Sequence, residues 1–133
     1  MLLNISYNEP LLTEKINEAV GKPFSLKRRL QLKGIGSGKL LVTKTSLEIH
    51  NLLILDNNIN NCNVELRPKG IIIRFRSLLE TYGLIIPYFK LTIYKEKASE
   101  ITLFKDHYFV RMQVSSKEAK VFFKKVMNEK IRS

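Results

Sequence analysis

Ser115-Ser116-Lys117-Glu118-Ala119-Lys120-Val121-Phe122-Phe123-Lys124-Lys125-Val126-Met127, near the end of the chain, reads as one amphipathic helix with its own start signal. Ser115 is the expected N-cap, and Glu118 three positions later completes an S-x-x-E capping box. Ala119, Phe122, Phe123, Val126 and Met127 then recur at the spacing that gathers apolar side chains on one helix face. Lys117, Lys120, Lys124, Lys125 and Lys130 fall mostly on the other. Burying a phenylalanine contributes about 1.5–3 kcal/mol, so a helix packed by its phenylalanines with lysines in water is a simpler reading than a membrane-surface helix.

Upstream the apolar period changes to two. Tyr108, Val110, Met112 and Val114 read as a strand, as do Ile101 and Leu103. Phe89, Leu91 and Ile93 alternate with Tyr88, Lys90, Thr92 and Tyr94, and Ile71, Ile73 and Phe75 alternate with Arg74 and Arg76. Lys39 to Thr43 and Leu47 to Leu55 read as two strands joined through Lys44-Thr45-Ser46. Phe24, Leu26, Leu30 and Leu32, alternating with Lys27, Arg29, Gln31 and Lys33, read as a further strand. Arg28 sits on its apolar side and marks a bulge, a strand end or an inward functional charge. Gly34-Ile35-Gly36-Ser37-Gly38 is a turn by composition, and Asp56 to Asn61 is an expected surface loop. At the other end, Leu12, Ile16, Ala19 and Val20 share a face of a short helix over Pro10–Val20, stopped by Gly21 and Pro23.

Half-buried strands joined by tight turns and followed by an apolar-striped helix predict an α+β fold. The expectation is a bent antiparallel β-barrel or sandwich of seven or eight strands closed by the C-terminal amphipathic helix, with a short N-terminal helix. The chain of 133 residues fits one domain, residues 1–133, with a helix at 10–20, a β body at 24–114 and a helix at 115–131. A cystatin-like sheet on a helix and a small oligonucleotide-binding barrel are the competing architectures.

Charge is the second signal. Lysine and arginine number 23 against 12 acidic residues, a net charge of +11. From Ala19 to Leu47 the chain carries Lys22, Lys27, Arg28, Arg29, Lys33, Lys39 and Lys44 with no acid. Such a field favours polyanions: nucleic acid, anionic lipid head groups or acidic proteins. No apolar run approaches the roughly 20 residues that span a bilayer, and the start of the chain lacks the basic and apolar regions of a secretory signal. A lone cysteine, Cys62, fits a reducing compartment, and the cytoplasm is the expected address.

Catalytic motifs are not evident. The glycine-rich turn before Lys39 has Lys33 where a phosphate loop needs its first glycine, Leu40 where it needs serine or threonine, and a strand where it needs a helix. His50, His107 and Cys62 have no metal-site spacing, and the carboxylates are scattered singly. The expectation is a protein that is not an enzyme and holds no cofactor or metal. Tyr82, Tyr88, Tyr94, Phe104 and Phe109 would stack bases if exposed beside the basic strands, which keeps a small nucleic-acid-binding β domain as the alternative function.

Gly38-Lys39-Leu40-Leu41-Val42-Thr43-Lys44-Thr45-Ser46-Leu47-Glu48-Ile49 resembles the opening hairpin of PH-like and GRAM-like domains of bacterial type. Ile86-Pro87-Tyr88-Phe89-Lys90-Leu91 is similar to their Ile-Pro-Tyr segment, and the final helix after a strand ending at Val114 sits where theirs does. The resemblance runs from about Leu26 to Ile131. It implies a seven-stranded, strongly bent barrel or sandwich capped by a helix, with a non-catalytic role in binding lipid head groups or proteins.

Within such a domain the basic stretch marks the anion site. Lys27, Arg29 and Lys33 are expected on the outward face of one strand, and Lys39 and Lys44 flank the next across the glycine turn. Together they would converge at one mouth of the barrel, near glycine amides able to hydrogen-bond a phosphate. The competing reading is a solvated edge strand kept from edge-to-edge pairing by its lysines.

Overall fold

The computed structural model describes residues 1–55 and 60–133, and all counts below refer to these. Asp56, Asn57, Asn58 and Ile59 of the expected surface loop lie outside them. The order is β1 (Leu2–Asn4), α1 (Pro10–Val20), α2 (Leu26–Leu32), β2 (Leu40–Thr45), α3 (Leu47–Leu53), β3 (Asn61–Arg67), β4 (Gly70–Ser77) and β5 (Glu80–Pro87). A 3-10 turn at Tyr88–Lys90 leads to β6 (Thr92–Lys97), β7 (Glu100–Lys105), β8 (Tyr108–Gln113) and α4 (Lys117–Arg132). The fold is α+β, as expected.

Every strand pair is antiparallel, and the eight strands form one sheet in the order β1-β5-β4-β3-β2-β8-β7-β6. β2 joins its two halves. Leu40 and Leu41 pair with Cys62 and Asn61 of β3, whereas Val42, Lys44 and Thr45 pair with Met112, Arg111 and Val110 of β8. The register shifts between Val42 and Lys44, a bulge of the kind that bends its strand. β1 and β6 are the edges, so the sheet is open and the barrel form of the expected barrel or sandwich is not closed.

One core occupies one face of this sheet. Val64 and Leu66 of β3, Ile71, Ile73 and Phe75 of β4, Leu84 and Ile86 of β5, and Leu103, Val110 and Met112 of β7 and β8 all point into it. α4 adds Ala119, Phe122, Phe123 and Val126, with the two phenylalanine rings edge to face at 5.5 Å between centroids. Met127, expected on the same stripe, is instead 45% exposed. The helix starts one residue later than expected: Ser116 is the N-cap, its hydroxyl accepting from the Ala119 amide, so no capping box to Glu118 forms.

The opposite face of β4 and β5 is covered by α1, which lays Ile16 and Val20 on Ile72 and Ile85. Both faces of these strands are therefore dry. That is why Ile71-Ile72-Ile73 and Leu84-Ile85-Ile86 are unbroken apolar runs and not alternating ones. Pro10 at the first turn and Gly21 at φ 87° bound α1 as the sequence predicts. Close approach of α1 also explains Gly70, where an added Cβ would lie 2.5 Å from Val20 Cγ1 and closer still to the Ile86 carbonyl oxygen.

Two expected strands are helices. Residues 26–32 contain only leucine, lysine, arginine and glutamine, all good helix formers and none β-branched. Ser25 caps them by accepting from the Arg28 amide, and Lys33 adopts the left-handed conformation at φ 59°. The Gly34 amide donates to the Arg29 carbonyl and the Lys33 amide to that of Leu30, which closes a Schellman motif. Likewise Leu47–Leu53 is helical, burying Ile49 and Leu53 four residues apart. Only the first arm of the expected Gly38–Ile49 hairpin is a strand. The strand predicted from Tyr88 begins instead at Thr92, after the 3-10 turn.

Phe122→Ala with Phe123→Ala should abolish cooperative melting, since each truncation in a core costs about 3–5 kcal/mol against a typical domain stability of about 5–15 kcal/mol. Met127→Ala should melt close to the parent chain. Gly70→Ala should lower the melting temperature by several degrees or more, whereas Gly36→Ala, whose new methyl group would meet nothing within 4 Å, should not.

Candidate anion-binding surface

Four of the five predicted anion-site residues do not line a common cavity. Lys27 and Arg29 stand on α2, on opposite flanks of its outer side and not in one row as they would on a strand. Lys33 is the left-handed cap residue of that helix, one turn beyond Arg29. Lys44 is exposed on β2 opposite Arg111. Lys39 alone lines a cleft of about 990 Å³, together with Asn61, Asn63, Glu65, Arg74 and Arg76. The barrel mouth at which all five are expected to converge is therefore absent from the arrangement of the described residues. The Gly34 amide is not available to a ligand either, because it bonds the Arg29 carbonyl.

α2 instead forms a surface of its own. Its inner side is held at both ends. Arg28 Nη2 lies 3.2 Å from Glu129 Oε1 of α4, and Lys125 Nζ donates to the carbonyls of Lys33 and Gly34 at 3.3 and 3.4 Å. Arg28, read as a bulge, a strand end or an inward functional charge, thus serves as an anchor between two helices. Phe24, Leu32 and Ile35 pack against the core from the same side. The outer side presents Lys27, Arg29 and Lys33 to solvent along with Leu26 and Leu30, which are 74% and 72% exposed. Strand alternation places these two leucines in the core, and the helix turns them out of it. Ser25 and the want of β-branched residues after it are the signals that point to a helix instead.

The cleft beside Lys39 is a different environment. Glu65 bridges Arg67 and Arg74 across β3 and β4. Arg67 is buried, and its Nη1 also donates to Asn17 Oδ1 at 3.1 Å and to the Gly21 carbonyl at 2.8 Å, tying the end of α1 to the sheet. The Tyr88 hydroxyl donates to the Arg67 carbonyl at 2.8 Å, and burial, with the nearby Glu129 charge, pushes its phenol upward. Burial pushes the Cys62 thiol up to about 12, so it stays protonated and unreactive. Among the described residues no group of three or more His, Cys, Asp or Glu side chains could hold a metal ion.

The aromatic residues expected to stack bases do not share one exposed face. Tyr88 is buried, Tyr82 stacks on Phe75 at 5.8 Å, and Phe104 lies against Phe109 across β7 and β8. Tyr94, 52% exposed on the edge strand β6, pairs with Thr102 beside the Thr92–Phe104 pair, so it shares with the half-buried Phe104 and Phe109 the face of β6–β8 opposite Leu103 and Val110.

Burial would raise the Glu65 carboxyl, but the Arg67 hydrogen bond and the charges of Arg74 and Arg67 outweigh it and hold the group below its usual range. A folded-state value below the unfolded one, about 4.3, means that the stabilisation is complete above that pH and disappears as pH falls through the folded value. Glu65→Gln should therefore melt lower than the parent chain at neutral pH, with the gap closing under acid conditions below about pH 4.3. A gap that stays constant across that window would show that the bridge contributes nothing through charge.

No protein-family model, no curated protein and no solved structure matches this chain.

Proposed function

We propose that the domain is a non-catalytic binding module of PH-like type that recognises an acidic ligand, either an anionic lipid head group or an acidic protein surface. The observation that carries this reading is the outer side of α2. Lys27, Arg29 and Lys33 are exposed there, in a stretch from Ala19 to Leu47 that has no acid; Arg29 Nε donates to the Phe24 carbonyl at 3.0 Å, and Arg28 is taken up by Glu129. Cations exposed on a helix fixed from behind are available to an external anion, and the net charge of +11 draws polyanions to it.

The strand order supports the PH-like part of the reading. β2, β3, β4 and β5 form a meander of four, β6, β7 and β8 a meander of three, and α4 follows directly. That succession has the strand number and final helix that the resemblance implies, apart from β1, α1, α2 and α3, the last of which replaces the second arm of the Gly38–Ile49 hairpin. No helix among the described residues is long and apolar enough to cross a membrane. A buried, unpaired Cys62 is consistent with the cytoplasm as the compartment we propose.

The test is a titration of the protein against poly-glutamate and against vesicles with and without phosphatidylserine, at two salt concentrations. The acidic ligands should bind, more weakly at higher salt, and the zwitterionic vesicles should not. Charge reversal by Lys27→Glu, Arg29→Glu and Lys33→Glu together should weaken binding by about tenfold or more with an unchanged melt, each lost cation near an anionic surface being worth about 1 kcal/mol. Reversal at Lys39 and Lys44 should have the smaller effect. Unaltered binding by the α2 variant would contradict the assignment.

A further inference from the structure

We infer that the outer face of α2 docks on an anionic lipid bilayer, with Leu26 and Leu30 entering the boundary between head groups and acyl chains while Lys27, Arg29 and Lys33 lie among the lipid phosphates. This deepens the acidic-ligand reading and rests on it. Four observations converge on the one face.

The first is the exposure of two large apolar side chains with no place in the core. Leu26 and Leu30 are spaced four apart, on adjacent turns of one side of the helix, and remain 74% and 72% exposed. Helix propensity does not require leucine there, since lysine or glutamine would form the same turn about as well. The second is the ring of charge. Lys27 flanks the leucine pair on one side and Arg29 and Lys33 on the other, all exposed, while Glu129 lies on the inner side and is engaged by Arg28 and Arg132. An apolar centre within cations complements an anionic membrane interface, where both parts are satisfied at once. A soluble phosphate would use the cations and leave the leucines in water.

The third observation is rigidity from behind. The Arg28–Glu129 pair and the Lys125 bonds to the Lys33 and Gly34 carbonyls hold the helix against α4, and the Schellman closure fixes its C-terminal end. The face is thus ordered before it meets a surface, so little further ordering entropy is lost on docking. The fourth is reach. A helix of seven residues is too short to hold a bilayer firmly by itself, so the contact would be reversible and sensitive to lipid charge.

The chain contains no tryptophan, so Leu30→Trp introduces a single emitter at the proposed contact. With vesicles containing phosphatidylserine its emission should shift to the blue and be quenched by brominated acyl chains. With zwitterionic vesicles, or with poly-glutamate, it should do neither. Leu26→Ser with Leu30→Ser should weaken partitioning onto the anionic vesicles by about tenfold or more, while poly-glutamate binding stays nearly the same and the melt is unchanged. If that variant is less well folded, the tryptophan measurement decides alone. Vesicle binding with no blue shift overturns the docking proposal, as does parental vesicle affinity in a folded serine variant. Binding of the parent chain to poly-glutamate but not to vesicles overturns it too and points to an acidic protein partner. Binding to neither overturns this proposal and the acidic-ligand reading together.

Discussion

β2 must satisfy two partners at once, and the rest of the architecture follows from how it does so. Leu40 and Leu41 pair with β3, Val42 and the residues after it pair with β8, and a register shift follows between Val42 and Lys44. Successive backbone groups of a strand point to opposite edges, so an interior strand bonds two neighbours, and the bulge adds a bend between them. The bulge lets Leu40 and Val42 stay buried while the chain changes direction, so the two meanders share one apolar face. α4 packs on that shared face, and its phenylalanines join a core drawn from both halves of the sheet. Loss of the β2 pairing would therefore separate the halves and expose the helix stripe together.

Two arginine–glutamate arrangements then attach the outer helices. Arg67, bonded to Glu65, Asn17 and the Gly21 carbonyl, secures the end of α1 over the sheet. Arg28, paired with Glu129, secures α2 against α4. In both cases a carboxylate largely out of water is matched by a guanidinium whose planar fork can satisfy more than one acceptor. The consequence for the surface is selective. The acid that could have neutralised the basic stretch locally is taken up by Arg28 and Arg132, which leaves Lys27, Arg29 and Lys33 exposed beside two leucines. The same anchoring that builds the fold produces the face from which function is proposed.

The basic residues are visible in the residue order, but their geometry is not. A strand period groups Lys27, Arg29 and Lys33, and Leu26, Leu30 and Leu32 satisfy that period about as well as they satisfy a helix. A seven-residue segment offers too few turns for periodicity to separate the two. The decision lies in local chemistry: a serine cap, straight-chain side chains and a left-handed residue before Gly34. The segment Leu47–Leu53 misleads in the same way, since Leu47, Ile49 and Leu53 fit alternation although only Ile49 and Leu53 are buried. The cleft lining by Asn63, Arg74 and Arg76 could not have been anticipated, because it depends on which residues β3 and β4 place side by side.

The longest and most periodic segments are legible from residue order alone. Pro10–Val20 and the C-terminal helix carry enough turns, with proline, glycine and serine at their ends, for local propensity and burial to agree. Strands at Ile71–Arg76, Ile101–Leu103 and Tyr108–Val114 and the antiparallel pairing are legible for the same reason, whereas the expected β body at 24–114 includes two helices and the strands β1, β3 and β5 are not read from the residue order. Tertiary packing decided the rest. It placed α1 over Ile72 and Ile85, so that two strands became apolar on both faces. It bent β2 between two partners and left the sheet open. It turned Leu26 and Leu30 outward because Phe24, Leu32 and Ile35 filled the available core and Arg28 was drawn to Glu129. Which apolar side chains find a buried site is a competition among all the elements, and no single segment contains its outcome.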